Sequence, residues 1–112
     1  MEISDSVVTL DEMKKWVQVF CEDRRWDPYH GPKDLAIGLV TEASELLEIF
    51  RFVDEAASLK LVQDPANKEK IADELADSIY FILRFAQMNG FDISRSLKEK
   101  LEKNVARYPK AT

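Results

Sequence analysis

From Leu35 to Phe50, apolar residues return every three or four positions with no proline between them, a period that suits a helix and not a strand. Leu35, Leu39, Val40, Ala43, Leu46, Leu47 and Phe50 cover so much of that helix that it belongs at the centre of a bundle or under another subunit. Glutamates nevertheless stand among them. Glu42 and Glu45 are one helical step of three apart and share a face. Downstream, Glu74 and Asp77 repeat that step inside Ile71–Ile79, again among core-like residues. One such pair is usually ordinary surface charge, but two on consecutive apolar helices resemble the way bundles build metal sites. Carboxylates crowded in a partly dry place repel each other and lose hydration, so they stay ionised only against a positive partner. A hard divalent cation fills that role. The only histidine, His30, lies in a loop and there is no Glu-x-x-His step, which favours an all-oxygen Mg²⁺ or Mn²⁺ site over a di-iron one.

The remaining chain also reads as helices. Thr9 can cap the first, with Glu12 as its reciprocal partner and Val8 and Met13 at staple positions. Met13, Trp16, Val17 and Phe20 form its apolar stripe, with Trp16 expected in the core, and it ends near Arg25 or Trp26. Two prolines and a glycine in the loop from Trp26 to Pro32 break the pattern. The second helix is expected from Pro32 to at least Phe52; Leu59, Leu61 and Val62 then either continue it or pack as a short separate turn. Asp64 with Pro65 starts a third helix carrying Ile71, Leu75, Ile79, Ile82 and Phe85, and Asn89-Gly90 stops it. Asp92 caps a fourth, with Ile93, Leu97, Leu101, Asn104 and Tyr108 at helical spacing before Pro109. The expected fold is all-α and four-helix bundle-like, a single domain over residues 1–112, completed by oligomerisation.

Charge narrows the partners. Acidic residues number 21 against 16 basic ones, and a net charge of -5 argues against nucleic acid as a partner. Every long apolar run is broken by charge, so no membrane span is expected. The N-terminus lacks the basic-then-apolar pattern of a signal peptide, and Cys21 reads as a reduced, buried thiol; the expected location is the cytoplasm.

Two further groups complement the acids. Lys103, Asn104 and Arg107 fall within reach of one helical face, followed by Tyr108, and together suit phosphate oxygens, although a basic helix C-terminus alone is ordinary dipole complementarity. Trp26, Tyr29 and His30 make an aromatic loop that either stacks on a base or plugs the bundle end. Phe50 and Phe52 pose the same choice between base wall and buried phenyl.

The order Glu42-x-x-Glu45, spacer, Glu74-x-x-Asp77 resembles the motif of the MazG-like nucleoside triphosphate pyrophosphohydrolases, within the all-α NTP pyrophosphatase group. The likeness extends to Trp26-Asp-Pro-Tyr29-His30-x-Pro32-Lys33-x-Leu35 and to Lys103-Asn104-x-x-Arg107-Tyr108-Pro109, and is nearest to the short dCTP pyrophosphatase-like branch. Parts of that branch carry Phe-x-Trp where this chain has Phe50-Arg51-Phe52. The resemblance implies Mg²⁺-dependent hydrolysis of a nucleoside triphosphate, dCTP or another deoxypyrimidine first, to monophosphate and pyrophosphate. It implies Glu42, Glu45, Glu74 and Asp77 as metal ligands and catalytic residues, with Glu45 the choice for orienting or deprotonating water. Lys103, Asn104, Arg107 and Tyr108 fall on the phosphate side, Lys33 is a further candidate there, and Trp26, His30 and Phe52 face base and sugar. It also implies a dimer or a dimer of dimers (a tetramer), with sites built across subunits. Two other readings compete: a pyrophosphohydrolase for phosphoribosyl-ATP or a modified nucleotide, and a non-catalytic helical interaction protein.

Overall fold

The computed structural model describes residues 2–111. Five α-helices follow one another: α1 (Leu10–Asp23), α2 (Pro32–Phe50), α3 (Glu55–Gln63), α4 (Pro65–Asn89) and α5 (Ile93–Arg107), with a 3-10 turn at Asp27–Tyr29 and no strand among the described residues. None of these helices is long and apolar enough to cross a membrane.

Short polar side chains set the helix starts. Thr9 Oγ1 accepts from the Glu12 N–H at 3.1 Å, Asp64 Oδ1 from Ala66 N–H at 3.0 Å, and Asp92 Oδ1 from Arg95 N–H at 2.8 Å. Each satisfies a helix donor that would otherwise be orphaned, worth about 1 kcal/mol. Gly90, at φ 76°, ends α4 in the left-handed conformation that glycine adopts without steric cost. Arg25 takes the same conformation after α1, at φ 58°. There the Arg25 N–H bonds to Glu22 O and the Trp26 N–H to Cys21 O, the paired closure that reverses the chain into the aromatic loop.

One helix boundary differs from expectation. Helix α2 ends at Phe50 rather than beyond Phe52, because Asp54 caps a separate nine-residue α3 by accepting from the Ala57 N–H at 2.9 Å. Helix α4 is the hub, packing against α1, α3 and most extensively α2, of which only Leu35 is fully buried within one chain.

The fully buried apolar set is small: Cys21, Leu35, Leu83 and Ala86. It lies where α1 and α2 meet the second half of α4, and the buried Cys21 thiol sits 3.1 Å from the Tyr80 hydroxyl. Trp16 is not core; it is 49% exposed beside Val17, Phe20 and Tyr80 on a shallow apolar surface. Gly38 allows α2 to approach α4 closely, with the Phe81 ring filling the space that a side chain there would need. Helix α5 packs only sparsely on the rest and leaves Leu97, Leu101 and Val105 exposed, while Val40 and Leu47 of α2 are more than 60% exposed.

Candidate active site

Glu42 and Glu45 of α2 meet Glu74 of α4 because α2 and α4 pack along each other and residues one helical step apart share a face. One carboxylate oxygen from each of Glu42, Glu45 and Glu74 lies within 4.8 Å of the others. Asp77, expected as a fourth member, stands one step along α4 outside that three-acid group and lines a cavity of about 520 Å³ with Glu42. Phe20, Trp26, His30, Tyr80 and Phe81 complete its main walls, so the aromatic loop opens onto the acids.

The acids are not at ease. Glu42 Oε2 and Glu74 Oε2 are buried with no hydrogen-bond partner among the described residues. Burial is the main cause that pushes the Glu42 carboxyl above the ordinary glutamate range, followed by the Glu45 carboxyl and then the charges of Asp77 and Glu74. Glu74 is raised likewise, first by burial and then by Glu45 and Asp77, with Lys70 opposing. Buried oxygens left without donors, in an all-carboxylate set, suit a hard divalent cation.

Trp26 and His30 meet edge to face, their rings 6.0 Å apart. Behind them is a group that sequence reasoning missed. Arg84 is fully buried, and its Nε donates to His30 Nδ1 at 3.0 Å. Its Nη1 donates to Gln87 Oε1 at 2.7 Å, and its Nη2 to Asp27 Oδ1 as an ion pair. Nothing in the local pattern of α4 marks Arg84, because an arginine on an amphipathic helix normally faces water. Tyr80, Phe20 and Phe81 were also missed, since aromatic residues at helical spacing read first as core.

The other expected residues do not join the cavity within one chain. Phe52 is 85% exposed, with the Arg51 guanidinium 4.6 Å from its ring centre. Lys33 lies at the outer face of α2 beside Ala36, Ile37 and Val40. Lys103 and Arg107 are exposed on α5, Asn104 is half-buried there, and Tyr108 follows the helix end with the Arg107 guanidinium 5.3 Å from its ring centre.

An all-helical fold that gathers Glu42, Glu45 and Glu74, with Glu42 and Asp77 lining an aromatic cavity beside them, defines a class of helical protein with an acidic cluster able to hold a metal ion. The chain belongs to the MazG-like family, whose model matches residues 37–112, about two-thirds of its length. It is 28% identical over 101 residues to dCTP pyrophosphatase 1 of Rattus norvegicus, and 26% identical over 101 residues to that of Homo sapiens. Each match covers 90% of this chain and 59% of the relative, so the chain spans about three-fifths of the length of these curated relatives. The crystal structure of a pyrophosphatase from Archaeoglobus fulgidus superposes with a TM-score of 0.86 at 28% identity, over 97% of this chain and 100% of that one.

Proposed function

We propose that the chain hydrolyses nucleoside triphosphates at the α–β phosphoanhydride, releasing monophosphate and pyrophosphate, with a divalent cation held by Glu42, Glu45, Glu74 and Asp77. The observation that carries this reading is the pair of buried oxygens of Glu42 and Glu74, without partners among the described residues, beside Glu45, with Glu42 also lining a cavity walled by Trp26 and His30. Kinship with dCTP pyrophosphatase 1 supports the bond cleaved and makes dCTP the first substrate to try, ahead of a modified deoxynucleotide. Mg²⁺ is the expected ion, with Mn²⁺ as a substitute, and when bound it offsets triphosphate charge and acidifies water.

The chain's own groups do the rest. Glu45 acts most strongly on both Glu42 and Glu74 among their charged neighbours, and it is assigned to orient water and accept its proton. Water oxygen bonds to phosphorus as the bridging oxygen leaves with its electron pair, so one water is consumed and two phosphate-bearing products result. Trp26 and Phe81 offer apolar faces to the base, while His30 is a hydrogen-bonding group at the same wall.

The same reading has the chain assemble as a dimer or a dimer of dimers. Its support is the small buried core and the exposed Val40, Leu47, Leu97, Leu101 and Val105, which monomers rarely leave uncovered together. Assembly would bring Lys103, Asn104, Arg107 and Tyr108 to the phosphates, and Lys33 and Phe52 to the site of another copy.

The test is product analysis with Mg²⁺ across canonical and modified dNTPs and NTPs, with molar mass measured by light scattering. Monophosphate plus pyrophosphate, fastest with a deoxypyrimidine, is expected. Diphosphate plus phosphate would overturn the bond assignment, and no turnover together with no nucleotide binding would leave a helical interaction protein.

A further inference from the structure

A buried arginine usually answers a buried carboxylate, yet Arg84 spends its Nε on a neutral acceptor, His30 Nδ1, at 3.0 Å. A guanidinium has five N–H donors and no acceptor, so the imidazole must turn a lone pair towards it. In neutral imidazole only one nitrogen carries hydrogen, and the proton therefore sits on Nε2. That Nε2 has no hydrogen-bond partner among the described residues, and His30 lines the cavity that Glu42 and Asp77 also line. The guanidinium is held in turn by Asp27 and Gln87, whose acceptors fix its plane. Asp27 belongs to the 3-10 turn that leads into His30, so the network ties the aromatic loop to α4 at two points.

We infer that Arg84 is a positioning residue: through its fork to Asp27, Gln87 and His30 it locks the imidazole as a fixed Nε2–H donor, which reads an acceptor atom on the nucleoside in the cavity. The inference rests on the proposed nucleotide site, and goes beyond it by assigning a tautomer and the residue that sets it. Burial and the Arg84 charge both hold the imidazole below its ordinary pKa, against Asp27 and Asp34, which keeps it neutral near pH 7. A lysine cannot replace this arrangement, because one ammonium cannot present three planar donors to three separate acceptors.

His30 is the only histidine in the chain, so ¹⁵N imidazole spectra of the full-length protein report on this ring alone. At pH 7.5 the expected spectrum shows protonated Nε2 and unprotonated Nδ1. An Nδ1–H tautomer or an imidazolium in the unsubstituted protein would overturn the inference, whatever the protein hydrolyses. In Arg84→Met, and equally in Arg84→Lys, the fixed tautomer should give way to an exchanging mixture. The KM for the preferred nucleotide should rise roughly three- to ten-fold, as expected for one neutral hydrogen bond, with kcat changed less. His30→Gln, whose amide nitrogen reaches the Nε2 position, should keep more of the affinity than His30→Asn, whose amide reaches only Nδ1. Equal losses in the two would overturn the donor role.

The Glu45→Gln protein, which should hold dCTP with Mg²⁺ unhydrolysed, separates this inference from the hydrolase reading. A shifted Nε2–H resonance on adding dCTP supports the donor role even if the unsubstituted protein turns nothing over, in which case only the hydrolase reading falls. An unmoved resonance in a protein that does bind dCTP overturns the donor role, and so does an absence of binding.

Discussion

Gly38 of α2 and Phe81 of α4 touch so closely that a Cβ on Gly38 would fall 2.6 Å from the ring Cζ and 2.7 Å from Cδ1. This contact governs both the helix packing and one wall of the cavity, because Phe81 lines it beside Asp77. Replacing glycine by alanine normally favours a helix by about 1 kcal/mol, while overpacking a close contact costs about 1–3 kcal/mol. Gly38→Ala should therefore lose about 1 kcal/mol in urea unfolding and raise the KM for nucleotide by displacing the ring. Combining it with Phe81→Leu should restore part of the stability, and simple additivity of the two losses would show that the contact is not the cause.

Glu42 and Glu74 carry buried oxygens that meet no donor among the described residues, so a cation should stabilise the folded chain strongly. Mg²⁺ at a hundred times its dissociation constant adds about 2.7 kcal/mol by mass action. Glu42→Gln should abolish most of that thermal shift and lower turnover at least roughly a hundredfold, the scale of one lost transition-state contact. Its melting temperature in EDTA at pH 7.5 should meanwhile rise, since a repelling charge has gone. A lower melting temperature in EDTA would mean that the glutamate is structural.

Both carboxyls are raised above their unfolded value of 4.5, so the folded state holds more protons than the unfolded chain between 4.5 and the raised values. Their contribution to metal-free stability is present at low pH and falls as pH rises through that window. The lowered His30 works the other way, adding stability as pH climbs towards 6.5. Subtracting the pH profile of Glu42→Gln from that of the unsubstituted protein in EDTA isolates the Glu42 part, and that difference should decline with rising pH. Mg²⁺ should remove the decline. A difference that instead grows with pH would contradict the environment described for Glu42.

Arg25 holds a left-handed backbone at φ 58° where a glycine is usual. A non-glycine residue there costs roughly 1–2 kcal/mol, part of which is offset by the greater freedom of glycine in the unfolded chain. Arg25→Gly should raise stability by roughly 0.5–1 kcal/mol while leaving KM unchanged, because the reversal into Trp26 uses backbone bonds alone. Destabilisation in thermal and urea unfolding would show that the arginine side chain contributes to the loop.

Helix starts at Thr9, Asp64 and Asp92 and the stop at Gly90 were legible because capping is local: the donor, acceptor and backbone conformation lie within a few residues. The Asp54 cap is equally local, but the unbroken helical pattern before it hides it, so the sequence alone does not separate α3 from α2. The convergence of Glu42, Glu45 and Glu74 was legible too, since two steps of three on neighbouring apolar helices can meet only across their shared packing face. The reach of Lys103 and Arg107 followed from motif order and not from packing, and within one chain α5 leaves both exposed.

The amino-acid order by itself determined that this chain is helical, where most of its helices begin and end, and that its acids fall in pairs on apolar helices. Tertiary structure alone decided that α4 is the hub, that the loop at Trp26 opens onto the acids, and that Arg84 is buried against a histidine 54 residues away. The reason is range. Caps and periodicity act between neighbours in sequence, whereas the state of a buried polar group is set by whatever partners packing brings to it, and an arginine carries no mark in the sequence of the acceptors it will find.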